Sequence, residues 1–131
     1  MAPELRAVWY PRIRSVVRST RSIHDAFGRR RLFLDRMDED LFRKAYAQRP
    51  QSSIVTVTNI GVRRLVAQGY RVVAQVHDSI VCEVPEEDER TSLIALNEAM
   101  STPVTSWGGT FTIPVELKTG HSWGDLHEVE V

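Results

Sequence analysis

Residues Arg71 to Val84 hold two short apolar runs back to back, and no other stretch restricts the fold of the chain so tightly. Val72, Val73, Ala74, Gln75 and Val76 lead into His77-Asp78, and Ile80, Val81, Cys82, Glu83 and Val84 lead out. Two such runs joined by a tight reversal specify an antiparallel hairpin. Two-residue hairpin turns favour Asn-Gly or Asp-Gly, because their centre needs positive φ. His-Asp is a poor choice on stability grounds, and a local rule broken at one spot often marks function. An aspartate at a hairpin tip is held by rigid strands and can present its carboxylate to a metal with little reorganisation. From the pair alone, the bland reading stays open beside it: Asp78 simply tolerates a left-handed turn.

Around the hairpin the pattern alternates between helix and strand. Ile13, Val16, Val17 and Thr20 recur at helical spacing and predict a helix from about Arg12 to Ile23, with Pro11 in its first turn. Arg14, Arg18 and Arg21 share another face, and Leu5, Val8 and Trp9 read as a preceding helical turn. Phe27 to Leu34 reads as a turn and short strand around Gly28-Arg29-Arg30-Arg31. A second helix is expected to start at Asp38 as N-cap, with Met37 and Phe42 as a hydrophobic staple, and to be interrupted at Pro50. Ile54 to Thr58 are β-branched, which leans to strand, while Ile54, Val57, Gly61 and Leu65 also fit one helical face that Ser52 or Ser53 would cap. Glu86 to Met100 predicts a helix with acidic residues in its first turn and an inner stripe of Leu93, Leu96 and Met100. Thr110 to Thr119 alternates as a strand, and Pro114 places it at an edge. The expected fold is α+β, a small antiparallel sheet covered by helices on one face, in a single domain over residues 1–131.

Charge narrows the partners. The chain is formally neutral, yet residues 1–78 carry 15 Lys and Arg against 7 Asp and Glu, and residues 79–131 carry 2 against 10. Fifteen of the seventeen basic residues are arginine, whose fork matches phosphate oxygens. Such a half is a footprint for nucleic acid or another polyanion; docking of the basic half on the acidic half of the same fold is the equal alternative. No apolar run reaches the roughly 18 residues of a membrane-spanning helix, so no membrane partner is expected. Met1 to Arg18 carries arginines and no apolar signal-peptide core. The lone Cys82 cannot form an internal disulfide, which fits a reducing compartment and a cytoplasmic location. Cys82 reads as inert packing and Trp107 with Gly108-Gly109 as a loop anchor, while His121, Asp125 and His127 form a metal candidate that solvated side chains explain as well.

The string Val73-Ala74-Gln75-Val76-His77-Asp78-Ser79-Ile80-Val81-Cys82-Glu83-Val84-Pro85 resembles motif C of family A DNA polymerases, above all phage-type members. Three further matches follow the family's order. Phe27-Gly28-Arg29-Arg30-Arg31-Leu32-Phe33 resembles its Gly-Arg-Arg segment. Arg43-Lys44-Ala45-Tyr46-Ala47 with Pro50-Gln51-Ser52 resembles the stretch that lies along the duplex. Val115-Glu116-Leu117-Lys118-Thr119-Gly120 with Trp123 resembles the terminal strand and tail.

The resemblance implies a palm-like sheet with a motif C hairpin, and it implies helix over Ser52 to Leu65. It implies that Asp78 is one of two carboxylates that bind a catalytic Mg²⁺ pair and that His77 supports the primer terminus. Arg43 and Gln51 would touch the minor-groove side of the primer–template, and Arg29, Arg30 and Arg31 would either grip backbone phosphate or stay solvated. Primer–template DNA and a dNTP are the implied partners, in a bacterial host cytoplasm if the gene is phage-borne. Two features depart from the family pattern. Ser79 stands where many members have glutamate, and the motif A aspartate with the nucleotide-gripping helix does not occur in these 131 residues. A single carboxylate cannot hold two Mg²⁺ ions, so the expectation is a split-gene polymerase palm, inactive alone and completed by a chain carrying motif A. A non-catalytic duplex-binding module or a degenerate polymerase remnant is the alternative.

Overall fold

The computed structural model describes residues 3–106 and 108–131. The loop anchor expected at Trp107 lies outside the described residues. Residues 1–54 and 55–131 form two compact units.

In the first unit a π-helical turn, Leu5–Trp9, runs directly into α1, Tyr10–Thr20, with Pro11 in the opening turn where its missing N–H is no loss. Ile13 and Val17 are buried one turn apart, whereas Val16 and Thr20, expected on the same stripe, face solvent. The helix stops earlier than the apolar spacing predicted, because Arg21 turns left-handed at φ 52° and donates its N–H to the Val17 carbonyl at 2.8 Å. A left-handed arginine costs about 1–2 kcal/mol. Its guanidinium offsets that by donating to the carbonyls of Phe33 at 3.1 Å and Asp35 at 3.0 Å. Strand β1, Ser22–His24, then pairs antiparallel with β2, Arg30–Leu32, with Ile23 opposite Arg31.

Helix α2, Glu39–Ala67, begins as the sequence predicted. The Asp38 Oδ1 accepts the Leu41 N–H at 3.0 Å, and Met37 packs against the core that contains Phe42. Ile13, Val17, Ile23, Phe33, Leu41, Phe42 and Ala45 make up that core, and the Arg14 and Arg18 guanidiniums lie over the Phe42 ring. Pro50 does not interrupt α2. It sits exposed in mid-helix, and the next turn is anchored by buried Ser52 and Ser53, which are helix interior rather than caps.

In the second unit the same helix continues through the β-branched run. Val57, Gly61 and Leu65 recur four apart and are buried, so tertiary burial overrides strand propensity, which amounts to a few tenths of a kcal/mol per residue. A Cβ on Gly61 would sit 2.7 Å from the Met100 sulfur and 3.2 Å from Ile80 Cδ1, so any larger residue here would require those side chains to shift. Just past its end at Ala67, Gly69 takes φ 87° and the Tyr70 N–H reaches the Leu65 carbonyl at 3.0 Å, closing the helix.

Strands β3, Arg71–Val76, and β4, Ser79–Glu83, form the hairpin, with an irregularity between Val72 and Ala74. A 3₁₀ turn, Glu86–Asp88, leads into α3, Glu89–Met100, whose Leu93 and Ala99 are buried while Leu96 and Met100 are half-buried. The Arg64 guanidinium, on α2, donates to Thr102 Oγ1 at 3.0 Å just after α3. Strand β5, Val104–Ser106, pairs with β6, Gly109–Phe111, and β7, Leu117–Thr119, with β8, His127–Val129.

The strand expected over Thr110 to Thr119 is therefore two short strands separated by residues 112–116, with no ladder between them. Pro114 has no N–H to give a ladder, although burial still alternates through Ile113, Val115 and Leu117. The fold is α+β as expected, but among the described residues the strands form four antiparallel two-stranded ribbons in place of one small sheet. Among the described residues no helix is long and apolar enough to cross a membrane.

Candidate functional site

Val76 pairs with Ser79 and Gln75 with Ile80, so His77 and Asp78 alone form the tip of the β3–β4 ribbon. His77 takes φ 54°, whereas Asp78 is not among the positive-φ residues. Those signs are the pattern of a II′ turn, whose first central position favours glycine. The chain thus places histidine where the backbone disfavours a side chain. Ser79 Oγ donates to the Val76 carbonyl at 2.8 Å and closes the turn. That bond gives a local reason for serine at this position. The stem is held in turn, because Gln75 Nε2 on β3 donates to Asn59 Oδ1 on α2 at 3.1 Å.

Both tip side chains are exposed. An ionised carboxylate there has its lone pairs open to solvent and offers oxygen ligands of the kind Mg²⁺ takes together with waters and substrate phosphates. It fits such an ion as one ligand, not as a complete cage. Among the described residues no three His, Cys, Asp or Glu side chains gather to hold a metal. His121 instead approaches Glu86, Nδ1 to Oε1 3.1 Å, with both side chains largely exposed. Cys82 is half-buried in β4, and burial pushes its thiol pKa up, away from the reactive thiolate.

The arginine run lies in the first unit. Gly28, φ 86°, turns the chain after β1, and Arg29, Arg30 and Arg31 follow, all exposed. Arg31 is oriented twice: its Nη1 donates to Gln48 Oε1 at 2.7 Å, and its guanidinium lies 5.0 Å from the Phe33 ring centroid. Gln51 is exposed on α2, one turn beyond Gln48, so the structure brings the arginine turn and the Gln51 turn together. Arg43 stands apart from this joint. It lies eight residues, about 12 Å, before Gln51 along the helix, and its 3.6 Å pair with Asp40 is largely exposed and weak.

The residue that sequence reasoning missed is Asp25. The residue is 3% exposed. Oδ1 accepts the N–H groups of Phe27 and Arg29, each at 2.9 Å, and Oδ2 accepts the Ser52 hydroxyl at 2.6 Å. Burial raises its pKa, but the bonds from Ser52, Arg29 and Phe27 outweigh burial and hold it below the ordinary 3.8. The Ala26 N–H also reaches Ser53 Oγ, at 3.1 Å, and Arg49 Nη1 reaches the His24 carbonyl at 2.9 Å. The available signal was Asp-x-x-Gly, an aspartate able to bond the backbone two residues on. No protein-family model matches the chain, and no curated protein matches it.

Proposed function

We propose that this chain is the distal palm of a family A DNA-directed DNA polymerase, contributing Asp78 to template-directed nucleotidyl transfer. The observation that supports it most is the His77-Asp78 tip, an exposed carboxylate on a two-residue turn whose histidine keeps φ 54°. Strained backbone persists where function retains it. In this reading Asp78 accepts metal through its free carboxylate oxygens, and His77 supports the primer terminus. Arg43 and Gln51 meet the minor-groove side of the duplex, where acceptors are shared among base pairs and shape counts more than sequence. Arg29, Arg30 and Arg31 meet backbone phosphate. When bound, a pair of Mg²⁺ ions would stabilise the attacking primer oxygen and the leaving oxygen of the dNTP. The second carboxylate would come from a segment carrying motif A that lies outside these 131 residues.

Primer extension tests this. The chain is mixed with an amino-terminal fragment of a phage-type family A polymerase that carries motif A and the nucleotide-binding helix. Synthesis is expected only from the mixture, only with Mg²⁺, and it should vanish with Asp78→Asn. Clear Mg²⁺-dependent extension by the chain alone refutes the division of labour. Duplex binding without extension in the mixture favours a non-catalytic duplex-binding module instead.

A further inference from the structure

Asp25 joins two elements that the polymerase reading uses separately. Ser52, which donates to its Oδ2, is the neighbour of Gln51 on α2, and Arg29, whose N–H reaches its Oδ1, opens the arginine run. One carboxylate therefore grips both the first arginine's backbone and the helical turn that carries Gln51. The contacts of Ala26 with Ser53, Arg49 with His24 and Arg31 with Gln48 run across the same joint. A buried carboxylate is expensive unless every lone pair is used, and a surface turn can be closed more cheaply by a neutral side chain.

The geometry points to Asp25 as a positioning residue that acts through Ser52 and the Arg29 N–H. It sets the Arg29–Arg31 turn against the Gln51 turn of α2 as a preformed surface for the sugar-phosphate backbone of a duplex. The inference rests on the duplex reading above, but its sign can be separated from simple electrostatics. A negative group among arginines repels DNA, so Coulomb's law alone has its deletion tightening binding. Loss of positioning does the reverse, since unanchored arginines must be ordered again when the duplex arrives.

The experiment is fluorescence anisotropy of a labelled primed duplex with the full chain, from about 50 to 300 mM salt, where phosphate contacts set the slope. Asp25→Ala, Ser52→Ala and Ser52→Thr are compared with the parent, with unfolding followed in parallel. A slope of about 0.9 per phosphate makes each lost contact worth about eightfold at 0.1 M salt relative to 1 M. Asp25→Ala is expected to weaken binding by at least that factor and to flatten the slope by about one. Ser52→Ala, which keeps the carboxylate and the Arg29 bond, reports the same direction even if Asp25→Ala fails to fold. Ser52→Thr, which keeps the hydroxyl, restores the parent value. Binding that is unchanged or tighter in folded Asp25→Ala or Ser52→Ala overturns the inference, as does lower stability with an unchanged salt slope. A parent chain that binds no duplex at all sinks the duplex reading itself, a distinct result.

Discussion

Replacing His77 with glycine is expected to stabilise this chain. The residue holds φ 54° at the first central position of a two-residue turn. A left-handed conformation costs an L-residue about 1–2 kcal/mol, and glycine adopts it freely. Glycine's extra unfolded-state freedom takes back about 0.5–1 kcal/mol, which leaves a net gain of about 0–1.5 kcal/mol. At the middle of that range Tm rises by about 2–4 °C for a chain of this size. Asp78→Gly is the internal control. Asp78 does not carry the positive φ, so glycine there relieves nothing and should lower stability by about 0.5 kcal/mol. Denaturant unfolding monitored by circular dichroism reads both variants, with an unchanged m-value certifying that the unfolded states are alike. A loss of stability in His77→Gly, or equal effects at the two positions, would refute the strain argument. On the proposed polymerase reading the same variant should be more stable and less active in primer extension, the usual exchange where a strained site serves function.

Pro50→Ala should stabilise by about 1–3 kcal/mol, since proline in a helix interior costs roughly 3 kcal/mol and only part returns through the unfolded chain; a thermal midpoint at or below the parent's would contradict a continuous α2. Asp25 gives a pH dependence of fixed sign. Its folded pKa lies below 3.8, so its contribution is fully present above about pH 4 and is lost as pH falls through the lowered folded value. The urea midpoint of the parent should therefore drop as pH falls below about 4 by more than that of Asp25→Asn, and parallel curves would remove the carboxylate from the explanation.

The hairpin was legible because its information is local. Apolar residues on both sides of His77-Asp78 fix a two-residue turn, and Val76 pairs with Ser79 as that spacing requires. The start of α2 was legible for the same reason, since the Asp38 carboxylate caps the Leu41 N–H three residues on. Helix over Ile54 to Thr58 was not, because β-branched side chains favour strand until Val57, Gly61 and Leu65 are buried together, and only the family resemblance pointed there. Pro50 was misread as a stop because the serines that anchor the next turn find their partners 27 residues away, at Asp25 and Ala26. Thr110 to Thr119 shows the converse. Its alternation in burial is real, but alternation says nothing about whether a neighbouring strand is present to pair with. Of the candidate site, the exposed tip could be read from the sequence, while the Asp25 joint could not, because an aspartate's partners across a fold leave no periodic mark.

The four separate ribbons carry a consequence for how quickly the chain reaches its native state. Every described strand pairs only with a strand adjacent to it in sequence, so no ladder waits for distant segments to diffuse together. The entropy of closing a long loop, which slows most β-rich proteins, is absent from strand pairing here. Refolding after dilution from urea should resemble that of helical or mixed domains rather than that of β-sandwiches, with each ribbon free to zip as soon as its own turn has formed.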